Sequence, residues 1–139
     1  VSGTMLISTR GRYSLRVLID LAQHEGYVPM KDVAARQGVS LGYLEKILPV
    51  LVKNGIVVGI QGKGGGYRLA KPADKITFGE ILRLTEGTLA PVACLEEGAP
   101  ECQRADGCLT LPVWAELEHI VSTYLDSVTI AQVVNRNQI

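Results

Sequence analysis

Two short helical patterns separated by a tight turn constrain the fold of this chain more than any other feature. Residues 28–55 read VPMKDVAARQGVSLGYLEKILPVLVKNG and divide at Gly38-Val39-Ser40. Gly38 is predicted to end the first helix and Ser40 to cap the second, because these residue types favour those positions. Two short helices joined by a turn that contains glycine are typical of a helix-turn-helix. Pro49 predicts a bend or an early end in the second helix.

A glycine-rich hairpin is predicted directly after this motif. Residues 56–71, IVVGIQGKGGGYRLAK, hold two runs rich in β-branched and aromatic residues around a glycine-rich tip. The glycines lead into a strand and not into a helix, so neither the Walker phosphate loop nor the dinucleotide fingerprint fits. An ordinary hairpin turn is the simpler alternative. The position after a helix-turn-helix, with Lys63 and Arg68 flanking the glycines, favours a DNA-binding wing.

Four further helices complete a fold class that is mainly α with one small β-hairpin. Two of them are predicted over residues 8–26 and 76–87. A long helix is predicted from about Pro112 to about Asp126, and Thr129 is a candidate cap for a short helix after it.

Charge is distributed unevenly along the chain, although the net charge is zero. Residues 1–75 hold eleven Lys and Arg against five Asp and Glu, whereas residues 76–139 hold three against nine. The basic half can bind phosphates, so the zero net charge does not argue against a nucleic-acid partner.

No segment has the pattern of a membrane span or of a secretory signal. The four residues before Met5 are interpreted as a remnant of cloning. We therefore expect a cytoplasmic protein, in which clustered cysteines favour metal or redox chemistry over structural disulfides.

All three cysteines lie within the segment CLEEGAPECQRADGC, where Cys94, Cys102 and Cys108 are spaced C-x7-C-x5-C. Thiolates bind iron–sulfur clusters and also zinc. A thiol–disulfide switch is a third alternative, although an odd number of cysteines leaves one thiol over. A redox enzyme is disfavoured, because the sequence has no C-x-x-C pair and no nucleophile near either histidine.

Several stretches, ISTRGRY, GVSLGYLEKI, QGKGGGYRLAK and the cysteine segment followed by LTLPVW, resemble the Rrf family of bacterial winged-helix regulators. The resemblance covers nearly the whole chain from Met5 to Val134 and is strongest to members that carry an iron–sulfur cluster. It implies a transcriptional repressor, not an enzyme, that binds a pseudo-palindromic double-stranded DNA operator as a homodimer. Other members regulate cysteine metabolism or sense nitric oxide. The alternative is therefore a regulator of the same fold, without an iron–sulfur cluster, that controls cysteine metabolism or responds to thiol or nitrosative stress.

The resemblance also implies a division of the chain into three parts. Residues 5–87 are expected to form the winged-helix DNA-binding domain, and residues 88–111 the cysteine-rich cluster-binding loop. Residues 112–139 are expected to form the dimerisation helix and the C-terminal segment.

The predicted DNA-binding residues lie on the first helix, on the second helix of the helix-turn-helix and at the wing tip: Arg12, Ser40, Tyr43, Glu45, Lys46, Gln61, Gly62 and Lys63. An acid such as Glu45 is useful in this role mainly for accepting a hydrogen bond from cytosine N4. The alternative is that Glu45 pairs with a basic neighbour on a solvated helix face. Gln61 replaces the arginine usual in the family, so it can read a base edge but lacks the charge that a narrow minor groove attracts.

The resemblance makes Cys94, Cys102 and Cys108 ligands of an iron–sulfur cluster, with 2Fe–2S favoured over 4Fe–4S and zinc as the alternative metal. The family's fourth ligand is a histidine three residues after the last cysteine, and Leu111 occupies that position here. Neither histidine of this chain is a persuasive replacement. An acid of the segment, a partner-chain side chain and a small thiol are open alternatives, and the fourth ligand is unknown.

Overall fold

The structure is a computed structural model that describes residues 7–91 and 109–136. Its elements in chain order are α1 (Thr9–Ala22), α2 (Met30–Gln37), α3 (Leu41–Lys53), β1 (Val57–Ile60), β2 (Gly66–Leu69), a 3₁₀ helix (Ala73–Lys75), α4 (Phe78–Glu86), α5 (Leu111–Ser127) and α6 (Ile130–Arg136). The two strands pair antiparallel. The mainly α class with one hairpin, arranged as a winged helix-turn-helix, is confirmed.

The helix-turn-helix consists of α2 and α3, with α1 packed against both. Gly38 ends α2 in the left-handed conformation, with a φ of 67°. Glycine adopts this conformation at little cost because it has no Cβ. Ser40 caps α3, since its Oγ accepts a hydrogen bond from the main-chain N–H of Tyr43 at 3.2 Å. Both predicted helix boundaries at this turn are therefore confirmed.

Helix α3 continues through Pro49, so the predicted early end is wrong. The helix ends at Lys53. Proline has no N–H to donate to the carbonyl of Glu45, four residues earlier. Leu48 and Leu51 lie on either side of Pro49 and are 3% and 0% exposed. Because helices in proteins are stabilised mainly by packing of their apolar face, the burial of these leucines outweighs the missing hydrogen bond.

The core combines residues from both ends of the described chain. Val17 and Leu18 of α1 are buried in the same cluster as Ile130 and Val134 of α6. Thr129 caps α6 as predicted: its Oγ1 accepts from the N–H of Gln132, and its own N–H donates to Oε1 of Gln132, both at 3.1 Å. The chain therefore returns to the winged-helix body after α5.

Helix α5 is attached to the body at its C-terminal end. Arg83 of α4 donates two hydrogen bonds to the carboxylate of Asp126, at 2.6 and 3.0 Å. Directly after α5 the main-chain N–H of Phe78 donates to the carbonyl of Val128 at 2.8 Å. Among the described residues no helix is both long enough and apolar enough to span a bilayer.

Candidate DNA-binding surface and cysteine segment

The exposed side of α3 carries the side chains that the sequence assigns to DNA. Glu45 and Lys46 are exposed opposite the buried leucines, Ser40 is exposed at the N-terminus of the helix, and Tyr43 is half-buried. Within the described part of the chain, neither Glu45 nor Lys46 takes part in an ion pair. The alternative in which Glu45 is neutralised by a basic neighbour is thus absent from this structure. A role in reading DNA stays a prediction.

The wing tip presents Gln61, Gly62 and Lys63, which are all exposed. Gly62 has a φ of 95°, a conformation that favours glycine. The turn is closed by the N–H of Gly65, which donates to the carbonyl of Gly62 at 3.0 Å. No carboxylate pairs with the Lys63 ammonium among residues 7–91 and 109–136. The tip therefore offers a positive charge and an amide side chain on a hydrogen-bonded turn.

Arg12 lies in the first turn of α1 and is exposed. Its Nη2 donates to Oγ1 of Thr9 at 3.2 Å. The start of the helix is held by Ser8, whose Oγ accepts from the N–H of Gly11 at 3.0 Å. Arg12 consequently projects from a capped helix end.

Two residues of α1 that are not among the predicted DNA-binding residues form contacts with the helix-turn-helix: Tyr13 with α3, and Arg16 with α2. The rings of Tyr13 and Tyr43 pack edge to face, with centroids 5.8 Å apart and an interplanar angle of 79°. The guanidinium of Arg16 lies 4.8 Å from the centre of the Tyr13 ring. Arg16 also donates to the side-chain and main-chain oxygens of Gln37, at 2.9 and 2.6 Å. The sequence signals were the position of Tyr13 at the end of the stretch ISTRGRY and its spacing from Arg16, which puts both side chains on one helix face.

A buried carboxylate joins α1 to α2. Asp20 is 1% exposed. Arg36 donates to both of its oxygens, at 2.7 and 3.0 Å, and Nε2 of Gln37 donates to Oδ2 at 3.0 Å. Burial alone would raise the pKa of Asp20, but these hydrogen bonds and the charge of Arg36 outweigh it and hold the pKa below its ordinary value. Sixteen residues separate Asp20 from Arg36, so no local spacing could have predicted the pair.

The predicted cluster ligands Cys94, Cys102 and Cys108 lie outside the described residues, and the ligand set stays a prediction. Among the residues that the structure describes, no group of three or more His, Cys, Asp or Glu could hold a metal ion. His24 lies two residues after the end of α1, with its Nδ1 2.7 Å from the carbonyl of Asp20 in that helix. The three thiolates of one short segment have the donor chemistry of an iron–sulfur or zinc site.

Helix α5 exposes a continuous apolar stripe. Val113, Leu117, Ile120 and Tyr124 are 58%, 36%, 55% and 60% exposed. They are separated by four, three and four positions, which is the spacing of a coiled-coil seam. Contiguous exposed apolar surface of this kind marks an interaction face in soluble proteins.

Comparison with known proteins identifies relatives along almost the whole chain. The family model Rrf2, described as "Iron-dependent Transcriptional regulator", matches residues 7–136. The HTH-type transcriptional regulator IscR of Erwinia tasmaniensis is 38% identical in an alignment over 137 residues that covers 97% of this chain and 82% of the relative. IscR of Serratia proteamaculans is 37% identical, with the same coverage of both chains.

Solved structures of similar proteins show the same architecture. CymR, the global cysteine regulator of B. subtilis, superposes with a TM-score of 0.80 and 34% identity over 96% of this chain and 98% of that one. T. potens IscR superposes with a TM-score of 0.76 and 34% identity over 95% of this chain and 88% of that one. These relatives are named transcriptional regulators and not enzymes.

Proposed function

Because this chain belongs to the Rrf2 family of transcriptional regulators, we propose that it represses transcription as a homodimer on a pseudo-palindromic operator, under the control of an iron–sulfur cluster. It is a regulator and not an enzyme, as the sequence predicted. The observation that carries the DNA-binding part is the exposure of basic and polar side chains on α3 and the wing tip without ion-pair partners in the described residues.

In this proposal α3 enters the major groove of duplex DNA and the wing tip enters the adjacent minor groove. Lys46 and Lys63 supply charge to phosphates, which gives affinity without sequence preference. Glu45 accepts a hydrogen bond from cytosine N4, and Gln61 reads a base edge. The remaining contacts with DNA are assigned to the side chains of three residues and to one glycine of the wing tip: Arg12, Ser40, Tyr43 and Gly62.

A homodimer is supported by the apolar stripe of α5. Its spacing matches a seam between two parallel or antiparallel copies of the same helix, and burying it removes apolar area from water at about 25 cal/mol per Å². A twofold dimer places two recognition helices on two half-sites, which is why the operator is expected to be pseudo-palindromic.

Cys94, Cys102 and Cys108 would hold the cluster, with 2Fe–2S favoured over 4Fe–4S and zinc as the alternative metal. When bound, an iron–sulfur cluster supplies thiolate–iron bonds that oxidants and nitric oxide break. Gain or loss of these bonds would favour a different conformation of the cysteine segment. Such a change alters operator affinity only if the two conformations bind DNA differently. The fourth ligand is unknown, since Leu111 occupies the position of the family's histidine.

The test is anaerobic purification followed by iron and acid-labile sulfide analysis, with operator binding measured before and after removal of the metal. The DNA is a duplex enriched by the protein from a random-sequence library. We expect iron and sulfide in the unaltered protein, their loss in Cys102→Ser, and different operator affinities for the two forms. A colourless protein that contains zinc and no sulfide would contradict the cluster and support a zinc-binding regulator.

A second candidate function is regulation of cysteine metabolism or of the response to thiol or nitrosative stress without a cluster. It is favoured by the structural likeness to CymR, whose structure is described as that of a global cysteine regulator. If this second function is correct, an oxidant changes the affinity of the metal-free protein for the operator, and a thiol reductant restores the original affinity. The same treatment of a variant in which all three cysteines are replaced by serine serves as the control.

A further inference from the structure

Tyr13 contacts Tyr43 of α3, and Arg16 contacts Tyr13, although neither residue lies on α3 itself. We infer that Tyr13 and Arg16 are positioning residues that set the orientation of Tyr43 for operator binding. This inference rests on the proposed DNA-binding function, and it adds two residues that the family motif of the recognition helix does not include.

The first step is the packing of Tyr43. Its side chain is half-buried and packs against the core cluster, and its ring makes an edge-to-face pair with Tyr13, with centroids 5.8 Å apart. Edge-to-face geometry directs the positive ring edge to the negative ring face and is favourable beyond the area buried. The hydroxyl oxygen of a tyrosine is attached rigidly to its ring. Fixing the ring of Tyr43 therefore also fixes the position of this oxygen.

The second step is the anchoring of Tyr13 by Arg16. The guanidinium lies 4.8 Å from the ring centre, within the range of a cation–π contact. It also binds the carbonyl of Gln37 at 2.6 Å, at the C-terminal residue of α2. A cation is favoured there, because the helix dipole places partial negative charge at that end. Arg16 thus connects the ring to the last turn of α2, just before the turn into α3.

The third step extends the anchoring into the buried interior. Gln37 accepts from Arg16 through Oε1 at 2.9 Å and donates through Nε2 to Asp20 at 3.0 Å. Asp20 is itself held by Arg36. The chain of contacts therefore includes α1, α2 and α3 and ends on Tyr43. A side chain fixed before binding loses less conformational freedom when it meets the operator, which raises affinity.

The test measures binding of the library-enriched duplex and of a scrambled duplex by fluorescence anisotropy. Tyr13→Ala is expected to weaken binding of the enriched duplex about fivefold, the scale of one aromatic pair. Tyr13→Phe, which keeps the ring, is expected to restore the affinity. In a Tyr43→Ala background, Tyr13→Ala should cause no further loss, because its effect acts through Tyr43. The slope of affinity against salt should be unchanged in Tyr13→Ala, since no phosphate contact is removed.

The inference would be overturned if Tyr13→Ala lowered the affinity for the enriched duplex equally in the unaltered protein and in the Tyr43→Ala background. It would also be overturned if Tyr13→Ala left the affinity unchanged. If thermal unfolding shows that Tyr13→Ala does not fold, Arg16→Ala decides: affinity about threefold lower is expected, and unchanged affinity overturns the inference. Failure of the proposed function has a different signature. In that case no duplex is enriched, or Tyr43→Ala and Lys63→Ala both bind as the unaltered protein does, and the inference fails with it.

Discussion

Ser8 and Glu86 lie 78 residues apart in the chain and are joined by two hydrogen bonds of 2.7 Å. The main-chain N–H of Ser8 donates to Oε1 of Glu86, and the Ser8 hydroxyl donates to Oε2. Glu86 ends α4, where the helix dipole disfavours an acid, but it lies at the start of α1, where the dipole favours one. The pair therefore joins the N-terminus of α1, from which Arg12 projects, to Glu86, the last residue of α4.

Replacing Glu86 should destabilise the fold. Burial would raise the pKa of Glu86, but hydrogen bonds from Ser8 and Thr85 hold it below its ordinary value, so the carboxylate is charged at neutral pH. Glu86→Ala leaves both donors of Ser8 without this acceptor, and we expect a loss of about 1–3 kcal/mol in the free energy of unfolding. Glu86→Gln should lose less, because one amide oxygen can still accept.

Denaturant unfolding monitored by circular dichroism measures this difference. Glu25→Ala is the matched control, since Glu25 is exposed and has no ion pair within the described residues. Its effect should stay within about 0.5 kcal/mol. Equal losses for the Glu25 and Glu86 variants would mean that the contact contributes nothing.

The buried Asp20 predicts a dependence of stability on pH. Its pKa is lower in the folded than in the unfolded chain, so its contribution is complete above the unfolded value of about 3.9 and is lost as the pH falls through the folded value. Asp20→Asn should cost about 2 kcal/mol at pH 7, and its difference from the unaltered protein should shrink as the pH is lowered below about 4. Urea unfolding over this pH range is the measurement. A difference independent of pH would show that the charge of Asp20 is not what stabilises the contact with Arg36.

The apolar stripe of α5 predicts the oligomeric state. Ile120 is 55% exposed, so Ile120→Glu should leave the fold of one chain intact and place charge in the interface between two copies. We expect the unaltered protein to sediment as a dimer and Ile120→Glu as a monomer with a similar helical spectrum. Glu116→Gln, a change at another exposed position of the same helix, should leave the dimer intact. A monomeric unaltered protein, or a dimeric Ile120 variant, would contradict the proposed interface.

Local patterns were sufficient to predict the α-helices and the hairpin, but not the 3₁₀ helix Ala73–Lys75 or the end of α1 at Ala22, four residues before the predicted Gly26. The glycine after α2, the serine before α3 and the threonine before α6 each act over three or four residues, so spacing in the sequence carried the information. The early end predicted from Pro49 was wrong because the cost of proline is local, whereas the burial of Leu48 and Leu51 that offsets it depends on the assembled core.

The contacts that connect the helices could not be predicted. Asp20 meets Arg36 across sixteen residues, and Ser8 meets Glu86 across 78 residues, so neither pair has a spacing that a helix or hairpin imposes. Tyr13 fits an apolar stripe in the sequence, and only the fold brings it to Tyr43. The candidate DNA-binding surface was predicted residue by residue from family resemblance, but the side chains that support it became visible only in three dimensions.

The salt dependence of operator binding by Lys63→Ala, compared with that by Lys75→Ala, measures whether the wing tip binds DNA phosphates. Both lysines are exposed, but Lys63 lies at the wing tip and Lys75 in the short 3₁₀ helix that packs near α6. Lys63→Ala is expected to weaken binding to enriched and scrambled duplexes alike and to lower the slope of log affinity against log salt by about one, whereas Lys75→Ala should change neither. Identical affinities and slopes for the two variants would contradict a DNA-binding surface that includes the wing.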